Sequence, residues 1–309
     1  MKVVFMGTPD FSVPTLESLY NNEYEISLVI SQTDKAKGRG KKVLFTPVKE
    51  KALELGLNVY QPDNVNSKES VEIIKNENPD VIVVVAYGQI LKEDILNIPK
   101  FGCINVHASL LPKYRGAAPI NWAIINGEKK TGVTTMFMEK GLDSGDILLK
   151  RETEILSDET AGQLHDRLMK MGAELLIDTL KGLESGTIIR TPQDHESATF
   201  APIMTKELGK INWNLKAINI RNLVRGTQPW PGAFTIYKDN NIKILEVSIV
   251  DKFVDSECGK VVKVSDEGIY VNALDRCVVI KRIQFPGKKA MLVSDFLRGN
   301  KFEVGVLLR

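Results

Sequence analysis

Apolar residues in the first half of the chain come in short runs separated by amphipathic stretches, the pattern of a mostly parallel sheet covered by helices. Val3-Val4-Phe5-Met6 reads as a first strand, and Gly7-Thr8-Pro9-Asp10 turns the chain into a helix whose apolar positions Val13, Leu16 and Leu19 recur every three residues. Ile26-Ser27-Leu28-Val29-Ile30 predicts a second strand, followed by a long polar loop, a helix near 46–56 and a short strand over Leu57-Asn58-Val59-Tyr60. The run Asp80-Val81-Ile82-Val83-Val84-Val85-Ala86 is apolar on both faces, which places it as a central, fully covered strand. Gly102-Cys103-Ile104-Asn105-Val106 and Val133-Thr134-Thr135-Met136-Phe137-Met138 supply two more. A helix starting at Ser157, with Asp158 and Glu159 in its first turn, carries a stripe of Leu164, Leu168, Met171, Leu175, Leu176, Leu180 and Leu183 and stops at Gly186.

Periodicity is lost from about 188 to 206, where polar and proline residues collect as they do in a domain linker. A short helical piece follows near 214–225. Residues 232–309 then show short alternating runs separated by Gly, Asn and Asp, the pattern of a small antiparallel barrel.

A chain of 309 residues exceeds the usual single core, which agrees with two domains. With 43% hydrophobic and 26% charged residues it fits neither a disordered nor a fibrous class. No run reaches the roughly 18 apolar residues of a membrane span, and Met1-Lys2-Val3-Val4 enters a strand pattern directly, so a cytosolic protein is expected. The net charge of +2 hides an asymmetry. Residues 206–309 hold 18 Lys and Arg against 11 Asp and Glu, a net of +7, whereas residues 1–205 hold 23 against 28, a net of −5. A basic module carried by an acidic one fits an anionic partner such as RNA, or a solvated basic surface without one.

Candidate chemistry is concentrated in GCINVHASLLPKYRGAAPINW, residues 102–122. Asn105 and His107 lie two apart in a strand, hence on one face, at the C-terminal end where open α/β sheets bind ligands. Gly141-Leu142-Asp143-Ser144-Gly145-Asp146 offers a carboxylate on a glycine-flanked turn, although alone Asp143 reads as a turn former that bonds its own backbone. Gly7-Thr8-Pro9-Asp10 lacks the GxGxxG fingerprint of dinucleotide binding. The three cysteines, Cys103, Cys258 and Cys277, are far apart, Cys103 reads as a small packed residue, and the three histidines have no metal-ligand spacing, so neither a disulfide framework nor a metal is expected. His165, beside Leu164, reads as structural and His195 as a linker residue.

Asn105-x-His107-x-Ser109-Leu110-Leu111-Pro112, with Asp143 in a Gly-Leu-Asp-x-Gly turn 38 residues beyond Asn105, resembles the folate-dependent formyltransferase family, which also contains hydrolases. Gly7-Thr8-Pro9-Asp10-Phe11, Gly38-Arg39-Gly40-Lys41-Lys42, Pro229-Trp230-Pro231-Gly232-Ala233 and Asp295-Phe296-Leu297-Arg298-Gly299 extend the resemblance over essentially the whole chain, toward the members that act on methionyl-tRNA. Asn212, before Trp213, stands where that family often has Asp. The resemblance implies an α/β fold with a Rossmann-like, mostly parallel N-terminal domain over 1–188, a linker over 189–206 and a small OB-like β-barrel over 207–309. It implies transfer of the formyl group of 10-formyltetrahydrofolate, a co-substrate, to the α-amine of initiator methionyl-tRNA, by a cytoplasmic monomer.

By the same resemblance Asn105, His107 and Asp143 form the catalytic trio. Tyr87, Gly88, Gln89, Ile90 and Leu91 form a pterin slot, and Ser109, Leu110, Leu111 and Pro112 a folate-contacting turn. Arg39, Lys41, Lys42 and Lys206 are implied to meet the tRNA, the first three on a loop that carries five positive charges and one negative over residues 34–42. Composition alone reads that loop as a solvated surface. Lys210, Arg221, Arg225, Lys243, Lys281, Arg282, Lys288 and Lys289 make up a further pool of candidate backbone contacts, while Trp213 and Trp230 read more readily as packing than as base-stacking residues. A sugar-nucleotide formyltransferase or a formyltetrahydrofolate hydrolase of the same family is the alternative. A non-enzymatic RNA-binding protein would leave Asn105, His107 and Asp143 without a task.

Overall fold

The computed structural model describes residues 1–37, 42–251 and 256–309. They divide into two compact units. Unit 1 holds residues 1–119, 130–154 and 165–201, and unit 2 holds 120–129, 155–164 and 202–309. Of the segment expected as a linker, residues 189–201 therefore cluster with unit 1. Thr191 forms a β-bridge with Ile147 and Phe200 one with Arg115.

Unit 1 is built on a seven-stranded sheet. Its strands are β1 (Lys2–Gly7), β2 (Glu25–Ile30), β5 (Val59–Tyr60), β6 (Val81–Val85), β7 (Cys103–His107), β8 (Lys130–Phe137) and β9 (Ile147–Glu154). Two short strands, β3 (Lys35–Lys37) and β4 (Lys42–Leu44), pair separately. The order is β5-β2-β1-β6-β7-β8-β9, parallel from β5 to β7 and antiparallel across β7/β8 and β8/β9. The β9 strand and its antiparallel pairing are absent from the sequence reading, because Ile147–Glu154 is apolar only at its first three residues and rich in charge after them. β6, buried at all five positions, lies between β1 and β7 as its unbroken apolar run requires.

Around this sheet run α1 (Val13–Asn21), α2 (Pro47–Glu54), α3 (Lys68–Asn76) and α4 (Glu93–Leu96). The next two helices, α5 (Pro119–Ile125) and α6 (Ala161–Glu184), contribute residues to both units. α2 and α3 begin at Thr46 and Ser67, whose hydroxyls accept from Lys49 N and Ser70 N. α6 starts later than expected. Its cap is Thr160, since Gln163 N donates to Thr160 Oγ1 while Gln163 Oε1 accepts from Thr160 N. This reciprocal box satisfies two otherwise orphaned amides, which Ser157, Asp158 and Glu159 do not. One core lies on a sheet face among Val4, Met6, Ile30, Ile74, Ile82 and Val84.

Unit 2 is an antiparallel sheet with strands β10 (Ala233–Tyr237), β11 (Asn240–Val250), β12 (Val261–Ser265), β13 (Gly268–Asn272), β14 (Cys277–Gln284) and β15 (Met291–Leu292), together with α7 (Ala217–Gly226) and α8 (Val293–Leu297). The order is β10-β11-β14-β13-β12, with β15 on β14. The two edges of that path are joined by the chain end. Val261 N donates to Val306 O at 2.9 Å and Gly305 N to Val261 O at 2.8 Å on the β12 side. On the β10 side Ile236 N donates to Arg309 O at 2.7 Å. This small β-barrel-like closure leaves no open edge at those positions. Trp213 is buried in its core and donates Nε1–H to Thr235 Oγ1 at 3.1 Å, as the packing reading expected, whereas Trp230 is 53% exposed.

Candidate active site

The C-terminal ends of β1, β6 and β7 and the loops that leave them gather on one edge of the unit 1 sheet. Ser12 Oγ donates to Val85 O at 2.6 Å and Thr8 Oγ1 to Tyr87 O at 2.8 Å, so the turn after β1 braces the turn after β6. That second turn needs left-handed backbone at Ala86 (φ 45°) and Gly88 (φ 94°). Within it the Tyr87 ring and the Leu91 side chain point into the core, Ile90 is 80% exposed, and Gln89 is anchored by Val65 N. Burial of Tyr87 pushes its phenol up to about 12 and leaves the hydroxyl without a hydrogen-bond partner. Ala86, Gly88 and the Ile90 side chain are exposed here, and Gln89 is half-buried.

β7 carries Asn105 and His107 side by side, in register with Met136 and Thr134 of β8. The chain then makes a tight Ser109–Pro112 turn, fixed from β8 by the fully buried Thr134, whose Oγ1 donates to Ser109 O at 2.6 Å and accepts from Leu111 N at 3.2 Å. Ser109 Oγ donates to Lys113 O at 2.6 Å, and Leu111 is fully buried. Of the expected folate-contacting turn, Ser109 and Leu111 are thus held inside.

The structure brings Asn105, His107 and Asp143 together. Asn105 Nδ2 donates to Asp143 Oδ1 at 3.4 Å, and Asp143 Oδ2 lies 3.6 Å from His107 Nδ1. The other imidazole nitrogen, Nε2, is 2.9 Å from Tyr114 O. A carbonyl only accepts, so Nε2 carries the hydrogen and Nδ1 is the basic nitrogen, turned toward the carboxylate. His107 is 6% exposed, and Asp143 is similarly enclosed. Gly116 N donates to Asp143 Oδ2 at 2.8 Å. Asp143 itself adopts φ 47°, a conformation Asp tolerates at modest cost. Gly145, two residues on, has no room for a side chain: a Cβ there would lie 2.0 Å from Phe137 O.

A family model described as formyl transferase matches residues 1–180 of this chain. The chain belongs to the formyl transferase family. A second model, described as formyl transferase, C-terminal domain, matches residues 203–301. The methionyl-tRNA formyltransferase of Clostridioides difficile strain 630 is 53% identical to this formyl transferase over 308 residues and covers all of both chains. That of Alkaliphilus metalliredigens is 55% identical, spanning 100% of this chain and 98% of its own. Among solved structures, an N-formyltransferase from Helicobacter canadensis, in complex with folinic acid and dTDP-3-aminofucose, superposes with a TM-score of 0.67 at 19% identity over 91% of this chain and 98% of that one. HypX from Aquifex aeolicus in complex with tetrahydrofolic acid gives 0.65 at 18% identity, covering 99% of this chain and 50% of that chain. Both show the fold of this formyl transferase.

Two groups in the site carry no signal in the sequence motifs. Arg115 and Gln193 are 5% and 6% exposed and hydrogen-bonded to each other, and Gln193 lies in the aperiodic segment after α6. A buried polar pair drawn from two segments 78 residues apart is visible only once the chain is folded. Cys103 is buried, and burial alone pushes its thiol up to about 12, so it stays protonated and unreactive. His165 packs edge-on against Phe11, and His195 is exposed except for a bond to Arg115. Among the described residues no group of three or more His, Cys, Asp or Glu is gathered to hold a metal, and no helix is long and apolar enough to cross a membrane.

Of the residues implied to meet tRNA, Arg39 and Lys41 lie outside the described residues, and Lys42 opens β4. Lys206 is exposed and lines a unit 2 cavity of about 610 Å³ with Trp230, Phe234, Lys243, Gln284 and Phe285. Arg221 and Arg225, by contrast, are engaged within unit 2, by Asp158 and by Leu156 O, Glu159 O and Asn222.

Proposed function

We propose that this protein transfers the formyl group of 10-formyltetrahydrofolate to the α-amine of initiator methionyl-tRNA. The observation that carries the reading is the convergence of Asn105, His107 and Asp143 in a chain that matches methionyl-tRNA formyltransferases along its full length. In this reading unit 1 holds the folate and performs the chemistry. Unit 2, which carries the net positive charge, holds the tRNA. Along the sequence the catalytic domain is assigned to 1–188, the connection to 189–206 and the tRNA-binding domain to 207–309, although 120–129 and 155–164 cluster with unit 2 and 189–201 with unit 1. The pterin lies against the main chain of Tyr87 to Leu91, with Ile90 as its apolar contact, and against Leu110 and Pro112 of the turn that Ser109 and Leu111 anchor.

The amine nitrogen attacks the formyl carbon on N10, the carbonyl becomes an oxyanion, and the amine acquires positive charge. Asn105 is half-buried and uses one N–H on Asp143, leaving the second to donate to the oxyanion. His107 takes the amine proton on Nδ1, because Nε2 is committed to Tyr114 O. The imidazolium so formed faces the Asp143 carboxylate, which lowers its cost in this enclosed setting. The proton passes to N10 as the C–N10 bond breaks, giving formylmethionyl-tRNA and tetrahydrofolate. No covalent enzyme intermediate is required.

Asn105→Ala lowers kcat about 10²–10³-fold, the effect of removing one oxyanion donor, in single-turnover formylation of methionyl-tRNA. A rate within a few-fold of wild type removes Asn105 from the mechanism. Arg39→Ala, Lys41→Ala, Lys42→Ala and Lys206→Ala raise the KM for tRNA with little change for folate, and unchanged tRNA kinetics reject that role for the residue concerned.

A further inference from the structure

Asp143 sits at the end of a chain of buried contacts that the reaction scheme does not use. Gln193 Nε2 donates both its hydrogens into the Asp143 turn, to Asp143 O at 2.9 Å and to Gly145 O at 2.8 Å. Gln193 Oε1 accepts from Arg115 Nε and Nη2 at 3.1 and 2.7 Å, and Arg115 Nη2 also donates to His195 Nδ1 at 3.3 Å. The carboxamide is thereby fully oriented: a guanidinium has only donors, so the oxygen must face Arg115 and the NH2 must face the turn. Arg115 is in turn held by its own main chain, with N donating to Thr199 O at 2.8 Å and O accepting from Ala201 N at 2.7 Å.

The residues on either side of Arg115 touch the reactive pair directly. Tyr114 O fixes His107 Nε2, and Gly116 N holds Asp143 Oδ2. Three consecutive residues therefore set the imidazole, the turn backbone and the carboxylate. Gly116, at φ 110°, allows that approach, since a Cβ there would sit 2.9 Å from Ala201 O as well as in strained backbone.

We propose that Gln193, oriented by Arg115, is a positioning residue for formyl transfer. It holds the Asp143 turn in its left-handed conformation so that one carboxylate reaches Asn105, His107 and Gly116 together. This rests on the function proposed above. Without the two donations the turn loses the contacts that hold φ at 47°, and the carboxylate is displaced from His107. The expected cost is set by analogy with the partners that orient metal-ligating side chains, whose loss costs about 10–100-fold in activity.

The decisive variant is Gln193→Glu, which keeps and strengthens the pairing to Arg115 but turns acceptors toward Asp143 O and Gly145 O. Gln193→Glu and Gln193→Ala are both expected to lower kcat about 10–100-fold, with the KM for folate and for tRNA unchanged within about threefold. In an Asp143→Ala background Gln193→Ala is expected to cost little more, because the two act as one unit. Hydrogen exchange at the Gly116 amide, which donates to Asp143, is expected to quicken in both single variants and reports positioning without any turnover. A Gln193→Glu enzyme within about twofold of wild-type kcat, a loss expressed in KM, a full additional loss in the Asp143→Ala background, or unchanged exchange at Gly116 would each overturn the proposal. If the wild-type protein transfers no formyl group to methionyl-tRNA, the proposed function fails, and the exchange result alone decides whether Gln193 positions Asp143.

Discussion

At the scale of single residues the site depends on which atom carries which hydrogen. The Tyr114 carbonyl assigns the hydrogen of His107 to Nε2 and leaves Nδ1 to face Asp143. Asp143→Asn keeps the size of the side chain and one acceptor but removes the charge that balances imidazolium. It is expected to lower kcat while sparing the KM for folate, measured in steady-state formylation; an equal loss in folate affinity contradicts the assignment. Cys103, two positions before Asn105 on the same strand, shows the opposite case of a chemically capable residue kept silent. Its thiol is raised by burial from 9.0 to about 12, so the neutral form predominates at all pH values below that range and thiolate forms only as pH rises through it. Cys103 is therefore expected to resist alkylation in the native protein at mildly alkaline pH, as read by mass spectrometry. Rapid modification there would contradict the burial.

At the scale of elements, β8 does more than extend the sheet. Thr134 satisfies both Ser109 O and Leu111 N from a fully buried position. Thr134→Val preserves shape but strands two polar groups, at about 1–3 kcal/mol for each unpaired buried group. The expected result is a lower denaturation midpoint together with a raised KM for 10-formyltetrahydrofolate, because the Ser109–Pro112 turn loosens; a drop in stability with unchanged folate KM separates that turn from folate binding. Much of this level was legible in advance. The apolar run 80–86 marked the central strand β6, and the two-residue spacing of Asn105 and His107 put them on one face at the end of β7. The α6 start was misplaced because Ser157 with two following acids imitates a cap, although Thr160 with Gln163 just before Leu164 is itself a readable capping box.

At the scale of the whole chain, the near-neutral total conceals a net charge of +7 over residues 206–309. Family resemblance made the Asn105, His107 and Asp143 set readable without coordinates, but Arg115 and Gln193 were not readable, since neither periodicity nor spacing links residues 78 apart. The closure of unit 2 by residues 305–309 was hidden for the same reason. If the excess of Lys and Arg serves tRNA, its KM should rise at least about tenfold between about 50 and 200 mM salt while the folate KM moves little. Parallel salt dependence of both would assign the charge to folding or solubility.

The central claim is tested most directly by supplying radiolabelled 10-formyltetrahydrofolate with methionyl-tRNA, with a dTDP-linked amino sugar, or with no acceptor, and following the formyl group. The account predicts label on methionyl-tRNA alone, at a rate that Asn105→Ala cuts about 10²–10³-fold. Label on the amino sugar, or free formate released as fast without tRNA as with it, would contradict it.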